Sequence, residues 1–276
     1  MPIIAFVRRL HAAPLSFAVV VCMSTAMAAP APRVAELQYD GRLYGLKVGE
    51  ARARLATIAD GYTVEIDVAA SGIAGLFMDW GVGARSEGLM LDGVGVQPIE
   101  HLFKTWDRGK HQHLRLAFAG DEPEVVDADP HPDGEDRKPM PPGSLVGALD
   151  PVSAGWAAAA AVGRSGECAA IIPAYDGRQR FDLILEPPRF DAVRDEDKRI
   201  ELYRLAIGRT ACSFRIRWVA GLKRKYVDGG ETRRPIQGHV WLQRVDEALP
   251  PVPVRVHVET ELGTAVLALR DRRGTS

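Results

Sequence analysis

Two histidines one residue apart, His111 and His113, head the groups in this chain that could do chemistry. On a strand, residues i and i+2 share a face, so the pair would present two imidazoles side by side. Asp127, Asp129 and His131 lie a short way along. Imidazole and carboxylate together suit zinc or copper, and the same groups could serve a metal-dependent hydrolase. Leu114 and Leu116, however, occupy the other phase of that strand. Both histidines therefore belong on its wet side, which leaves His111, His113 and His131 as weak ligand candidates.

Serine chemistry is poorly provided for. Gly163-Arg-Ser-Gly-Glu167 lacks the last glycine of a nucleophile elbow. No His-Glu-x-x-His occurs, and Ser153 stands in the first turn of an alanine-rich segment, where a hydroxyl ordinarily bonds nearby backbone. No catalytic residue is assigned, no cofactor is expected, and the balance leans away from an enzyme.

A third chemistry is apolar contact. Ile73, Leu76, Phe77 and Trp80 fall at i, i+3, i+4 and i+7, which on a helix makes one stripe. Such a stripe is either core or the lid of a lipid pocket. With Trp156 these residues form the candidate ligand-binding set.

The first 28 residues read as a secretory signal: Arg8 and Arg9, an apolar run from Leu15 to Met23, then Ala26-Met27-Ala28. Cys22 follows Val21 rather than a small residue, which argues against lipidation. Export to the periplasm with no membrane span after cleavage is the expectation. The charge balance, 35 Lys and Arg against 36 Asp and Glu, gives a net −1 and no electrostatic footprint for nucleic acid. Lys223-Arg-Lys225 and Arg233-Arg234 sit in a Gly-rich polar stretch, where solvated charge explains them.

Period-two alternation recurs through the rest of the chain. Tyr62, Val64, Ile66 and Val68 share one face while Thr63, Glu65 and Asp67 take the other, and Val252 to Val258 repeat the pattern. These are half-buried antiparallel strands. Asp150-Pro151 predicts a helix start for Val152–Val162 with Gly163 as its stop, and the Ile73–Trp80 stripe predicts a second short helix. Residues 120–147 are acidic and proline-rich and are expected to be a mobile loop. The organisation expected is a signal over 1–28, a flexible 29–35, one β domain over 36–269 and a flexible 270–276. One curved antiparallel sheet of roughly ten strands, an open or half barrel with two short helices over its concave face, is the expected fold.

Cys168 and Cys212 are the cysteines outside the signal. A two-residue Asp176-Gly177 turn would pair Ile172 with Phe181, placing Ala170, Ile172 and Ala174 with Phe181, Leu183 and Leu185 on one face. Counting back by twos puts Cys168 there too, and Cys212 shares a phase with Phe214, Ile216 and Trp218. Two inward cysteines in an exported chain predict a disulfide; two buried free thiols are the alternative.

The segment Tyr44-Gly-Leu-Lys-Val-Gly49, the Asp150-Pro-Val-Ser-Ala154 helix start, the Cys168…Tyr175-Asp-Gly-Arg-Gln-Arg-Phe-Asp182 hairpin, Cys212 and the closing Pro253-Val-Arg-Val…Leu262-Gly-Thr-Ala265 resemble, in that order, the bacterial exported family catalogued as domain of unknown function 3108. The likeness runs from about Glu36 to Leu269. It implies a β-rich envelope protein without an assigned activity, and more loosely a layout similar to LolA/LolB-like lipoprotein carriers. Three functions stay open: binding, carrying or scaffolding an apolar, lipid-like envelope component; a periplasmic hydrolase or metal enzyme using His111, His113 and the acidic loop; and a module that binds another envelope protein.

Overall fold

The computed structural model describes residues 32–91, 95–132, 136–193, 195–228, 235–247 and 249–275. The expected signal with Cys22, the Arg233–Arg234 pair and Ser276 lie outside them. Thirteen strands follow in chain order: β1 (Arg33–Leu43), β2 (Leu46–Ile58), β3 (Gly61–Ala70), β4 (Trp80–Leu91), β5 (Gly95–Asp107), β6 (Lys110–Ala117), β7 (Glu124–Asp129), β8 (Ala170–Tyr175), β9 (Arg180–Glu186), β10 (Thr210–Ala220), β11 (Gln237–Gln243), β12 (Val252–Thr260) and β13 (Gly263–Thr275). All join one antiparallel sheet in the order β7-β6-β5-β4-β3-β2-β1-β13-β12-β11-β10-β9-β8.

That order explains where the main helix must lie. From β1 to β7 the chain meanders to one edge, then crosses to the opposite edge and meanders back until β13 pairs with β1. The crossing contains helix α1 (Pro151–Ser165). Trp156 of α1 packs with Leu37, Tyr39, Leu55, Tyr62 and Val64 of β1 to β3, and Ala158 and Val162 pack with Leu185, Cys212, Val240 and Leu242 of β9 to β11. One helix thus bridges the inner faces of both meanders.

The sheet is curled but not closed. Leu114 and Leu116 of β6 share a cluster with Tyr175 of β8 and Ala148, so strands from opposite ends of the sheet come to face one another. The seam is filled by non-strand chain: Leu149 N–H donates to Pro173 O and Tyr175 N–H to Leu149 O, while Gly147 N–H reaches Asp121 O. Hydrogen bonding by a packed segment covers part of the β8 edge, which reduces the aggregation hazard of an open edge there.

Several expectations need correction. The acidic stretch is not all loop: β7 pairs with β6, and a register shift between Arg115 and Leu116 lets both Val125 and Ala128 face the seam cluster. Strand pairing reaches Val34 opposite Thr275, past both edges of the expected 36–269 domain, because the first and last strands complete each other. Pro250, Pro251 and Pro253 would confine the start of their strand to a sheet edge or an unpaired entry, yet Pro253 lies within interior strand β12, tolerated where the β11–β12 register shifts between Trp241 and Leu242. The helix runs through Gly163 and stops at Gly166, whose φ of 73° is the left-handed cap.

No helix forms over Ile73–Trp80. Gly72 takes φ of 62° and closes on the backbone of Lys47, Gly75 weakens the turn that follows, and Trp80 is taken into β4 opposite Asp107. Only a 3-10 turn at Ala74–Leu76 remains. The second substantial helix is instead α2 (Glu196–Ala206), capped by Asp195. It lies on the outer face, where Leu202 packs with Phe190, Ala211 and Trp241.

The Asp176-Gly177 hairpin pairs Tyr175 with Arg180 and Ile172 with Leu183, two residues from the predicted register. Asp176 Oδ1 accepts from both Arg178 N–H and Gln179 N–H at 2.8 and 2.6 Å, which holds a four-residue turn. A shift of two is one full period, so every side chain keeps its face. Cys168 and Cys212 are accordingly both inside, joined by a disulfide with Cα atoms 5.5 Å apart.

Candidate functional site

An apolar cavity of about 350 Å³ lies between α1 and the inner face of β1, β2 and β3. Leu37, Leu55, Val64, Ile66 and Val68 supply one wall, Val152, Trp156 and Ala159 the roof, and Pro250, Pro251, Pro253, Val256 and Leu267 the far side. A smaller apolar space of about 160 Å³ continues toward β9 to β11 and shares Gly155, Ala159, Pro253 and Val256 with the first. Small-molecule sites typically occupy about 300–1,000 Å³, so the larger space alone is in range.

Gly155 gives the most direct sign that no protein side chain fills this space. It is exposed although Ala154 and Trp156 on either side are buried, and a Cβ built on it would meet nothing within 4 Å. Gly163, two turns on, is the opposite case: its Cβ would fall 2.5 Å from Pro251 Cδ. One end of α1 is pressed against the sheet and the middle is held off it.

A buried polar clasp fixes the N-terminal end of the helix. Asp150 Oδ1 caps it by accepting from Val152 and Ser153 N–H, each at 2.9 Å, and also accepts from Ser86 Oγ at 2.6 Å. His101 Nδ1 stands 3.2 Å from that oxygen and 2.8 Å from Ser86 Oγ. Tyr62 OH bonds Ser153 Oγ at 2.7 Å while its ring stacks on Trp156, centroids 5.6 Å apart. Burial pushes the Asp150 carboxyl up, but the hydrogen bond and charge of His101, with the Ser153 and Ser86 bonds, outweigh it and hold the pKa below the ordinary range.

Serine, histidine and aspartate in contact invite comparison with a hydrolytic triad, and the geometry rejects it. In a triad the imidazole lies between serine and carboxylate and uses both nitrogens. Here Nδ1 alone faces both, and the serine donates directly to the aspartate. All three side chains are essentially without solvent contact, so no substrate reaches them. They anchor α1.

The sequence-predicted residues divide. Trp156 is in the cavity roof. Ile73, Leu76 and Phe77 are exposed in the β3–β4 connection, Leu76 and Phe77 at 78% and 79%, Trp80 is exposed at the start of β4, and none of the four lines the cavity. His111 and His113 project from the outer face of β6, His113 Nε2 lying 3.2 Å from Asp127 Oδ2 with both side chains about half exposed. His131 is also exposed. Among the described residues no three His, Cys, Asp or Glu side chains group closely enough to share an ion.

Sequence reasoning passed over Tyr39, Gly155, Ser86 and His101. Ser86 and His101 are opposed in register and interrupt an inward apolar phase, a pattern readable once β4 and β5 are drawn. A glycine amid the alanines of α1 was equally visible.

Comparison with known proteins gives a family and a distant structural likeness. The family described as "Protein of unknown function (DUF3108)" matches residues 37–270. A solved structure titled as a beta-barrel-like protein of domain of unknown function DUF1849 from Brucella abortus aligns with 89% of this chain and 98% of its own, at 10% identity and a TM-score of 0.47. None of the curated proteins matches.

Proposed function

Since the chain belongs to the DUF3108 family, which brings no activity with it, we propose from the geometry that this protein is a non-enzymatic binder or carrier of an apolar component of the cell envelope. The cavity under α1 is the binding site and Trp156 part of its roof. One observation carries the reading: an apolar space of about 350 Å³ that the middle of α1 faces with a glycine instead of a side chain. Interiors normally pack at crystal-like density, and the walls of an open apolar cleft lack the apolar contacts a filled interior would give them. A greasy ligand restores them, at about 0.8 kcal/mol per buried methylene.

Periplasmic residence is part of the proposal. It is supported by the signal-like residues 1–28 and by the joined cysteines, since disulfides persist in oxidising compartments. No helix of the described residues is long and apolar enough to cross a membrane.

Native mass spectrometry of protein purified gently from its own host tests this reading. The expected spectrum carries one adduct per chain that organic extraction removes. A bare-chain mass, together with no saturable uptake of the hydrocarbon fluorophore diphenylhexatriene, would overturn it.

A further inference from the structure

Two tyrosines stand on the inner face beneath α1, and they are not equivalent. Tyr62 OH has a protein partner in Ser153 Oγ at 2.7 Å. Tyr39 lines the cavity at 5% exposure, yet among the described residues nothing hydrogen-bonds its hydroxyl. Its oxygen is not among the fully enclosed unpartnered atoms, so the little exposure the side chain has includes the hydroxyl, which meets the cavity space. Burial raises the phenol pKa far above its usual value, so at any physiological pH the group keeps its proton and is a donor.

Its position says which end of a ligand it would meet. Inward residues line up across β1, β2 and β3, with Tyr39 level with Ala51 and Val68. The next level toward the β1–β2 turn is Gly41, Gly49 and Ala70, none larger than a methyl group. Beyond Tyr39 on that side β1 to β3 offer no large side chain, Leu267 of β13 opposite Gly41 being the next in the lining, whereas on the other side lie Leu37, Leu55, Val64 and the Trp156 ring.

We infer that the cavity takes a single-chain acyl compound whose carbonyl or carboxyl oxygen accepts a hydrogen bond from Tyr39 OH, with the hydrocarbon chain running inward toward Trp156. The inference rests on the proposed apolar binding and adds the chemical class and orientation of the ligand. It makes Tyr39 a positioning residue for one polar atom.

Two fluorescent probes separate the claims: parinaric acid, an acyl chain ending in a carboxyl group, and diphenylhexatriene, which has no acceptor. Tyr39→Phe is expected to weaken parinaric acid, a carboxylate at neutral pH, about tenfold or more, the ratio set by a hydrogen bond to a charged group, and to leave diphenylhexatriene within twofold of wild type. Both probes binding wild type and variant equally would overturn the inference while the apolar site stands. Neither probe binding wild type would overturn the site itself, and the inference with it. Unliganded Tyr39→Phe should melt at or above the wild-type temperature, because no protein bond is lost. Clear destabilisation would show that the hydroxyl already has a partner and would equally overturn the inference, whereas Tyr62→Phe, which does lose a bond, should melt lower.

Discussion

Among the described residues, His257 carries a strong pH signature in the mildly acidic range. It packs against Trp241 with ring centroids 4.7 Å apart, and its Nε2 accepts from Arg255 Nε at 2.8 Å, a bond only the neutral ring can make. Burial, then the charges of Arg255, His239 and Lys198, lower its pKa to about 4, against about 6.5 in an unfolded chain. Between those values the unfolded state binds more protons, so stability rises with pH. The contribution is intact above about 6.5 and is lost as pH falls toward 4. His257→Gln keeps an acceptor and removes the titration. Its melting temperature should decline less than that of wild type between pH 6.5 and 4.5, and an identical slope would contradict the assignment. Asp150, whose folded pKa is depressed, adds a second loss lower on the scale, below the ordinary carboxylate range of about 3.9. At this scale the sequence was only partly legible. Asp150 as a helix cap and the inward phase of both cysteines followed from local pattern. The pairing of Ser86 with His101, or the missing partner of Tyr39, depends on which strands become neighbours.

Elements were readable where period alone decides them and unreliable where a glycine intervenes. The hairpin after α1 kept its faces despite a two-residue slip, because register errors of a full period are invisible to side-chain orientation. The Ile73–Trp80 stripe failed because helical spacing over eight residues is cheap to imitate and Gly72 and Gly75 oppose it. Helix α2 was missed because only one of its residues, Leu202, is buried, leaving almost no periodic signal. Within α1 the two glycines give opposite predictions. Gly163→Ala forces a methyl into Pro251 and should cost about 1–3 kcal/mol, as overpacking does, measured by urea unfolding; a neutral result would mean that the helix is not pressed there. The Cys168–Cys212 link closes a separation of 44 residues between the end of α1 and β10. On the chain-entropy account its removal by a double Cys→Ala change should cost about 4 kcal/mol. Equal urea midpoints for wild type and variant would show that the crosslink contributes nothing.

On the scale of the whole molecule, the path of the chain makes the site. Two meanders share one sheet through the β1–β13 pairing, and crossing from β7 to β8 requires a segment to pass over the concave face. That segment is α1, tied at its start by the Asp150 clasp and at its far end by Gly163 on Pro251. A helix held at both ends can stand off the sheet between them without collapsing, and the cavity is there. The curved β architecture was legible from alternation alone. The cavity was not, since a strand's inward residues read the same whether they meet a helix or a space.

The account therefore turns on whether the region beneath Gly155 is empty and is where apolar ligands go. Gly155→Leu, measured by thermal melting and by diphenylhexatriene titration together, tests both halves in one variant. A leucine there should raise the melting temperature of the unliganded protein, by removing a helical glycine worth about 1 kcal/mol and filling the void, and should abolish probe binding. A variant that melts lower, or that binds the probe as wild type does, would contradict it.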